Sequence, residues 1–169
     1  MGMPHKLKQF NVFQNGVLFM GMVPEITLPK LSRKMEEYRA GGMSGPVSVD
    51  FGNEALSLEW SGGGLIAEAL KQYGAHAHGA VMLRFAGAYQ NDEDGNVAAV
   101  EVVVRGRYKE IDMGAAKMGD DTTHKYTMAC SYYKLMIDGA TVIELDFMSG
   151  IENIGGVDTN AAIRKAIGL

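Results

Sequence analysis

Residues 90–101 (QNDEDGNVAAVE) place oxygen-bearing side chains at a spacing that could bind a calcium ion. Asp92, Asp94 and Glu101 fall on positions three, five and twelve of an EF-hand loop. Position one is Gln90, where that loop needs an aspartate, and the residues on both sides alternate with the period of a β-strand. The sequence therefore favours an acidic turn between two strands over a calcium site.

Three other groups of residues have side chains or backbone that could serve in a reaction or bind a ligand. His76 and His78 could share a metal ion, but no nearby cysteine or carboxylate completes a tetrahedral set. The glycine run at 61–64 (SGGG) fits neither common phosphate-binding motif, and no lysine is placed to follow it. Cys130 lies within a predicted strand, where a small buried thiol is the common case. We expect no catalytic residue, no cofactor and no metal in this chain.

Charged residues also recur at alternate positions of two predicted strands. They are Glu101, Arg105, Arg107, Glu144 and Asp146. One face of an antiparallel sheet is commonly solvated, and these residues could belong to such a face. Alternatively, they could line a polar channel once sheets from several copies join. Closure into a ring would also remove the exposed strand edges that make long strands aggregate.

One of these two strands is the longest in the prediction and covers residues 97–112 (VAAVEVVVRGRYKEID). Val100, Val102, Val104 and Tyr108 share one face of an extended chain there, and the charged residues share the other. Typical strands have five or six residues, so this one is unusually long. It needs partners along its whole length, because unpaired backbone groups are costly unless water or another partner binds them. We expect the rest of the chain to supply those partners.

The remaining pattern predicts a single, mainly β domain over residues 1–169. A hairpin is expected at 10–23 around Asn15-Gly16, and a short edge strand at 25–28 between two prolines. Alternating apolar residues predict strands within 46–60 and at 80–90, 124–137 and 141–148, the last two joined by Asp138-Gly139. The apolar spacing after the glycine run predicts a helix over 63–74, with Ser61 as a possible N-cap, and a second, short helix over 161–167.

Residues 30–45 (KLSRKMEEYRAGGMSG) are the least core-like part of the chain, because they are dense in charge and end in glycines. We expect a protruding arm with a mobile tip; the alternative is an ordinary surface loop. The residues that favour a contact between subunits are Met35, Tyr38, Arg39, Gly41, Gly42 and Met43. Large apolar groups on a solvated segment commonly have a partner surface to cover.

The composition limits the class of protein. The chain has 169 residues, a formal net charge of −4 and one cysteine. A general nucleic-acid binder would be strongly basic, and an internal disulfide needs two cysteines. No apolar run approaches the roughly 20 residues of a membrane span, and we expect no membrane-spanning segment and no signal peptide.

Several long blocks of this sequence resemble one known family. They are TLPKL at 27–31, EYRAGGM at 37–43, VEVVVRGRYKEID at 100–112, GDDTTHKYTMACSYYKLMIDG at 119–139 and IRKAIGL at 163–169. These blocks closely resemble the major tail tube proteins of P2-like contractile phages and the tube proteins of R-type tailocins. The resemblance runs nearly from end to end. Cys130 and residues 149–153 depart from the family pattern.

The resemblance implies a mainly β fold, a β-sandwich or barrel-like tail tube fold with one flanking helix and a short C-terminal helix, related to the type VI secretion tube. It implies a non-enzymatic subunit whose hexameric rings stack into a hollow tube. The implied partners are other copies of the chain, the tail sheath protein, a baseplate or tube initiator, a tape measure protein in the lumen, and DNA that passes without specific binding. The implied location is the tail tube of the virion, after a period in the host cytoplasm.

Two hypotheses that assign the chain to other classes of protein stay open. One is a hexameric secretion-type ring that carries cargo in its pore, and the other is a small-molecule-binding β-barrel. In a tube, a negatively charged lumen would let DNA slide, because carboxylates repel phosphates while lysine and arginine retain them. We therefore expect Arg105 and Arg107 to pair with carboxylates or to face an interface.

Overall fold

A computed structural model describes residues 2–169, which form twelve strands and two short helices. The strands are β1 (Lys6–Gln14), β2 (Val17–Leu18), β3 (Glu25–Thr27), β4 (Arg33–Tyr38), β5 (Val47–Asn53), β6 (Leu56–Gly62), β7 (Val81–Gln90), β8 (Val97–Asp112), β9 (His124–Ile137), β10 (Ala140–Asp146), β11 (Ile151–Ile154) and β12 (Val157–Asp158). The helices are α1 (Ala67–Leu70) and α2 (Ala161–Ala166). The predicted mainly β fold is confirmed.

Ten of these strands hydrogen-bond into one large sheet, and β4 and β5 form a separate two-stranded sheet. The order along the large sheet is β12, β11, β10, β9, β8, β7, β1, β2, and every pairing is antiparallel. The sheet forks at β9. One edge of β9 pairs with β8, whereas its other edge pairs with β6 over its first half and with β10 over its second half. The edge strand β3 pairs with β6.

The long strand β8 has the two partners that its length requires. It pairs with β7 from Val97 to Gly106 and with β9 from Val100 to Asp112. Its inner face is apolar and buried, while Arg105 and Arg107 lie on its exposed outer face. The predicted strand and the predicted assignment of its two faces are both confirmed.

The inner face of the sheet encloses an aromatic core. Trp60 and Tyr126 stack with ring centroids 4.1 Å apart. Phe19 packs on Trp60, and Tyr108 packs on Tyr126, each at 5.7 Å. The Tyr108 hydroxyl donates a hydrogen bond to Gln14 Oε1, and the Gln14 amide donates to the backbone of α1 at 3.0 Å. Burial raises the pKa of Tyr108, so its hydroxyl stays neutral and remains a donor.

The tight turns follow from local sequence. Asn15 and Gly16 have φ values of 47° and 84°, and Asp138 and Gly139 have 50° and 80°. Two positive φ values in succession are the requirement of the type I′ hairpin turn, and Asn-Gly and Asp-Gly are the pairs that accept them best. Both predicted hairpins are confirmed, although β2, the second strand of the first hairpin, has only two residues.

The predicted helix over 63–74 is wrong in length. The helix α1 has four residues, Ala67–Leu70, and its N-cap position is Ile66 rather than Ser61. Strand β6 ends at Gly62, and Gly63 and Gly64 form a bend before α1 instead of the start of a helix, as expected for residues that lose much conformational entropy in helices. Between residues 63 and 74 only Ile66 and Ala69 are buried, whereas the large apolar side chains of Leu65 and Tyr73 are exposed. The short C-terminal helix is confirmed as α2.

Within residues 2–169, no helix combines the length and apolarity needed to cross a bilayer.

Gly106 allows β8 and β9 to approach closely where the register between them shifts. A Cβ added at Gly106 would lie 2.2 Å from the carbonyl oxygen of Ala129 and 2.9 Å from Cys130 Cα, and backbone cannot move aside as a flexible side chain can. We predict that Gly106→Ala lowers the free energy of unfolding by about 3 kcal/mol, measured by urea denaturation. The control is Gly64→Ala, where an added Cβ meets nothing within 4 Å and which should change stability little. Equal losses at the two positions would contradict the close-approach explanation.

Candidate assembly surfaces

The β4–β5 hairpin, Arg33–Asn53, projects from the large sheet as a separate element. All six residues of β4 are exposed, and so are the first five residues of β5. A backbone hydrogen bond from Glu54 N to Ser32 O, 2.9 Å long, closes its base. An isolated two-stranded hairpin is marginally stable in water, and this one has little of its own chain to pack against.

One face of the hairpin is mainly apolar and uncovered, although Glu36 lies on it opposite Val49. Tyr38 lies opposite Val47, and the alternation along β5 brings Val49 and Phe51 to the same side. These four side chains are between 37% and 61% exposed. An exposed, contiguous apolar face on a soluble element marks a contact surface.

The two strands of this hairpin fall on either side of a boundary predicted from the sequence. The predicted arm ends at residue 45, and the strands predicted within 46–60 follow it. The structure contradicts that division, since β5 is the second strand of the hairpin and pairs only with β4. The alternating pattern correctly identified a strand with one mainly apolar face, but nothing within residues 2–169 buries that face.

The other predicted arm residues lie at the tip and on the opposite face. At the tip, Met43 N donates to Ala40 O at 3.2 Å, and Gly42 has a φ of 86°, which gives the tip a defined turn. Arg39 and Gly41 belong to the same exposed turn. Met35 lies opposite Asp50, on the face away from Tyr38.

Polar side chains join the base of the hairpin to the large sheet. Arg33 Nε donates to Asp50 Oδ2 at 2.8 Å, within the hairpin, and Arg33 NH1 donates to Glu152 Oε1 of β11 at 3.1 Å. Asn53 Nδ2 donates to the same Glu152 oxygen at 2.6 Å. The hydrogen bond from Arg33, followed by that from the Gly52 N–H, lowers the pKa of the Asp50 carboxyl below its usual value. The sequence analysis did not identify this cluster.

The outer face of the large sheet carries the predicted polar strand residues. Glu101 accepts a hydrogen bond from Arg84, whose guanidinium lies 4.7 Å above the ring centroid of Phe13. Glu144 Oε2 accepts from the Tyr132 hydroxyl at 2.9 Å and lies 3.8 Å from Lys134 Nζ. Burial, and then the hydrogen bond to Glu144, raise the pKa of Tyr132 to about 12. The structure thus brings the predicted carboxylates onto one face, where two of the three, Glu101 and Glu144, have basic neighbours.

The two predicted arginines do not pair with carboxylates within residues 2–169. Arg107 NH1 donates to the backbone carbonyl of His76 at 2.9 Å, and Arg105 makes no ion pair in this part of the chain. Asp146 instead accepts backbone hydrogen bonds from the turn that follows it. An open cleft of about 520 Å³ lies on the outer face of the sheet, over β8 and β9, with Arg105 and Asp146 in its lining. The other expectation for these arginines, that they face an interface, stays a prediction.

The same outer face becomes acidic near the end of β8, which the sequence analysis did not identify. Thr127 of β9 has Glu110 of β8 on one side and Glu59 of β6 on the other. Two residues further along β8, Asp112 lies opposite Lys125. The alternation along β8 shows that Glu110 and Asp112 share a face. The third carboxylate, that of Glu59, joins this acidic end only because β6 pairs with β9.

The segments first considered for metal binding and catalysis have structural roles. Residues 90–96 form the turn between β7 and β8, closed by a hydrogen bond of 2.9 Å from Asn91 N to Asn96 O, so the predicted acidic turn is confirmed. The ring of His78 bonds to the Ser131 hydroxyl at 2.8 Å. Cys130 is buried, and burial raises the pKa of its thiol to about 11.

Comparisons with known proteins agree on one family. The family model described as phage tail tube protein FII matches residues 4–168. The chain is 48% identical to the tail tube protein of Escherichia phage P2, with all of both chains covered. It is 40% identical to the major tail tube protein of Serratia phage KSP20, covering 89% of this chain and 88% of that one.

Solved structures add evidence on the fold alone. A structure described as the sheath/tube terminator of PVC, an extracellular contractile injection system, matches with a TM-score of 0.57 at 10% identity, covering 76% of this chain and 93% of that one. The tube-terminating cap of the anti-feeding prophage matches with a TM-score of 0.54 at 12% identity, covering 75% and 87%. The sheet architecture is therefore similar to that of contractile injection system proteins.

The lowered pKa of Asp50 gives the hairpin base a defined dependence on pH. The folded-state pKa lies below the unfolded value of about 3.9, so the stabilisation is present above that value and is lost as pH falls through the folded pKa. We predict that Arg33→Gln raises the Asp50 titration midpoint, measured by carboxyl ¹³C NMR. Lys34→Gln removes a neighbouring charge that pairs only loosely with Glu36, at 3.8 Å, and should leave the midpoint unchanged. Identical midpoints in all three proteins would show that Arg33 does not interact with Asp50.

Proposed function

Because the chain belongs to the phage tail tube protein FII family, we propose that it is a structural subunit of the inner tube of a contractile tail. Hexameric rings of the subunit stack into a hollow tube that conducts DNA and penetrates the host envelope when the sheath contracts. The observation that carries this proposal is the 48% identity to a tail tube protein over the full length of both chains. The subunit has no enzymatic role in this account.

The β4–β5 hairpin supplies the contact between subunits. Its four apolar side chains, on the face that includes Tyr38 and Phe51, are about half exposed in the single chain. Covering the remaining area of each would contribute about 1 kcal/mol, so one docked hairpin would contribute several kcal/mol. Every subunit of a ring or a stack makes this contact. Burial in the contact explains why the hairpin carries an apolar face that its own chain does not cover.

The outer face of the large sheet becomes a surface of the assembly, either the wall of the lumen or a contact between neighbours. Arg84 and Lys134 lie beside Glu101 and Glu144, so much of the charge on this face is balanced within the chain. The acidic end of the face repels phosphate, which suits a conduit through which DNA slides. Arg105, without a carboxylate partner in residues 2–169, fits a contact with an adjacent subunit.

The remaining partners follow from the place of such a subunit in a tail. A tail sheath protein surrounds the tube, a baseplate or tube initiator starts its growth, and a tape measure protein occupies the lumen during assembly. The subunit is made in the host cytoplasm and is part of the virion afterwards.

Negative-stain electron microscopy of the purified protein over a concentration series tests the proposal. The wild-type chain should form rings and then hollow tubes. Deletion of residues 39–44 leaves Gly45 and Pro46 to join β4 to β5 and should give a folded subunit that does not stack, because the tip of the hairpin is gone. A variant with the same six residues replaced by glycine and serine separates the effect of length from that of sequence. Full-length tubes from the deletion variant would exclude the tip as the stacking element.

A charge reversal tests the role of the outer face. We predict that Arg105→Glu lowers the yield of tubes by about tenfold at a fixed protein concentration, because it places a carboxylate where an interface needs a cation. Lys71→Glu is the control, since Lys71 is exposed and pairs only with Glu68 of its own helix region, at 3.3 Å. Tube yields are compared by sedimentation and microscopy. Unchanged tubes and unchanged infectivity in Arg105→Glu would remove Arg105 from any interface.

A further inference from the structure

The direction in which the β4–β5 hairpin projects is not fixed by packing. The hairpin forms a sheet of its own, and the exposed residues of β4 and β5 contact little of the large sheet. Two chain connections enter its base, beside the hydrogen bond from Glu54 N to Ser32 O. A hairpin held only in this way could swing about its base, so another interaction must set its direction.

The carboxylate of Glu152 is placed to supply that interaction. Its Oε1 accepts hydrogen bonds from Arg33 at 3.1 Å and from Asn53 at 2.6 Å, which are the first and last residues of the hairpin. These two bonds therefore connect both strands of the hairpin to one oxygen of the large sheet. The Glu152 side chain is 16% exposed, the lowest fraction among the ion-pair side chains of residues 2–169, whereas its partner Arg33 is 40% exposed.

Glu152 is itself held firmly on the side of the large sheet. It lies opposite Leu145 in the pairing of β10 with β11, and Leu145 belongs to the buried core. Its backbone carbonyl accepts from Thr159 N at 2.9 Å, and its Oε2 lies 3.4 Å from the Thr159 hydroxyl. The carboxylate is thus a fixed point from which the hairpin can be oriented.

Hydrogen bonds and an ion pair also hold the segment that follows Thr159 in place. Arg164 forms a bidentate pair with Asp158, and Arg164 NH1 also donates to Gly150 O at 3.1 Å. The Asn160 amide donates to the same Gly150 carbonyl at 2.6 Å. These bonds tie Gly150, which precedes β11, to Asp158 at the end of β12, so they hold the open end of the strand pair that carries Glu152.

We propose that Glu152 is a positioning residue that fixes the direction of the β4–β5 hairpin through Arg33 and Asn53, and so prepares the hairpin to dock on a second copy of this chain. Its role in docking rests on the function proposed above, whereas its role in setting the direction does not. A hairpin already oriented for docking loses less conformational entropy on assembly than one that swings, so orientation strengthens the contact without adding any new one.

An exposed ion pair alone would not support this inference, because such pairs contribute little to stability. Glu152 differs in three respects. It is largely buried, it accepts from two donors at the two ends of one element, and it connects that element to a part of the molecule distant in sequence. Arg33 and Glu152 are separated by 119 positions along the chain.

Electron paramagnetic resonance on the monomer tests the direction of the hairpin independently of assembly. Nitroxide labels at Ser44→Cys, on the hairpin tip, and at Ser57→Cys, on the exposed side of β6, report the distance between the two elements in a Cys130→Ala background. We expect a narrow distance distribution in this background, a broad one after Glu152→Ala, and an intermediate one after Glu152→Gln, which keeps an acceptor oxygen. Circular dichroism and thermal unfolding confirm that each variant is folded.

The control is Glu68→Ala, which breaks a pair with Lys71 that joins two neighbouring residues of one segment and should leave the distribution narrow. In unlabelled protein, Glu152→Ala should raise the concentration needed for tube assembly by about tenfold, as expected for the loss of charge-assisted hydrogen bonds, and Glu68→Ala should not.

A narrow distribution in a folded Glu152→Ala variant would overturn the proposal. So would a broad distribution together with unchanged assembly, because the direction would then not affect docking. If the wild-type chain formed no rings or tubes at all, the proposed function and the docking role would fail together, and the distance distribution would still decide whether Glu152 sets the direction of the hairpin.

Discussion

The pairing of β8 with both β7 and β9 is the constraint on which the rest of the structure depends. A strand of 16 residues leaves many backbone donors and acceptors to satisfy, and neighbours on both edges satisfy most of them here. The register shifts between β8 and β9 increase the local twist, and Gly106 permits the close approach that one of these shifts requires. The curved sheet can then fold over its own inner face and bury Trp60, Tyr126 and Tyr108 in one aromatic core.

The same architecture leaves two surfaces without a partner in the chain. The β4–β5 hairpin cannot join the large sheet, so its apolar face stays in solvent, and the outer face of the sheet carries charges that need water or a neighbour. Under the proposed function a subunit would gain from both features, because the hairpin would provide apolar area for a contact and the outer face would provide a charged surface where sheets from several copies meet.

Much of the large sheet could be predicted from the sequence because its signals are local. The alternation of valines in β8 and the pairs Asn15-Gly16 and Asp138-Gly139 depend on residues that are close in sequence. The helix over 63–74 was predicted from apolar spacing, but tertiary packing buried only Ile66 and Ala69 there, and Gly63 and Gly64 form a bend after β6. Alternation also identified β5 as a strand, yet it could not show whether the covering surface belongs to this chain or to another.

The candidate site was less predictable than the sheet, because its contacts join residues that are distant in sequence. Sequence spacing placed Glu101, Arg105 and Arg107 on one face of one strand, and that is where they lie. Spacing along one strand cannot show partners on other strands: of the two alternatives expected for Arg105 and Arg107, pairing with a carboxylate does not occur within residues 2–169, and facing an interface stays a prediction. The cluster of Arg33, Asn53 and Glu152 gave no local signal, because it forms only when β11, a strand that the sequence analysis did not assign, is placed beside the base of the hairpin.

The most direct test of this account is a cryo-electron microscopy reconstruction of tubes assembled from the purified chain. The account predicts hexameric rings in which the apolar face of the β4–β5 hairpin, with Tyr38, Val47, Val49 and Phe51, is buried against an adjacent subunit. A tube in which those four side chains remain in solvent would contradict it, because the hairpin would then not be the element that joins one subunit to the next.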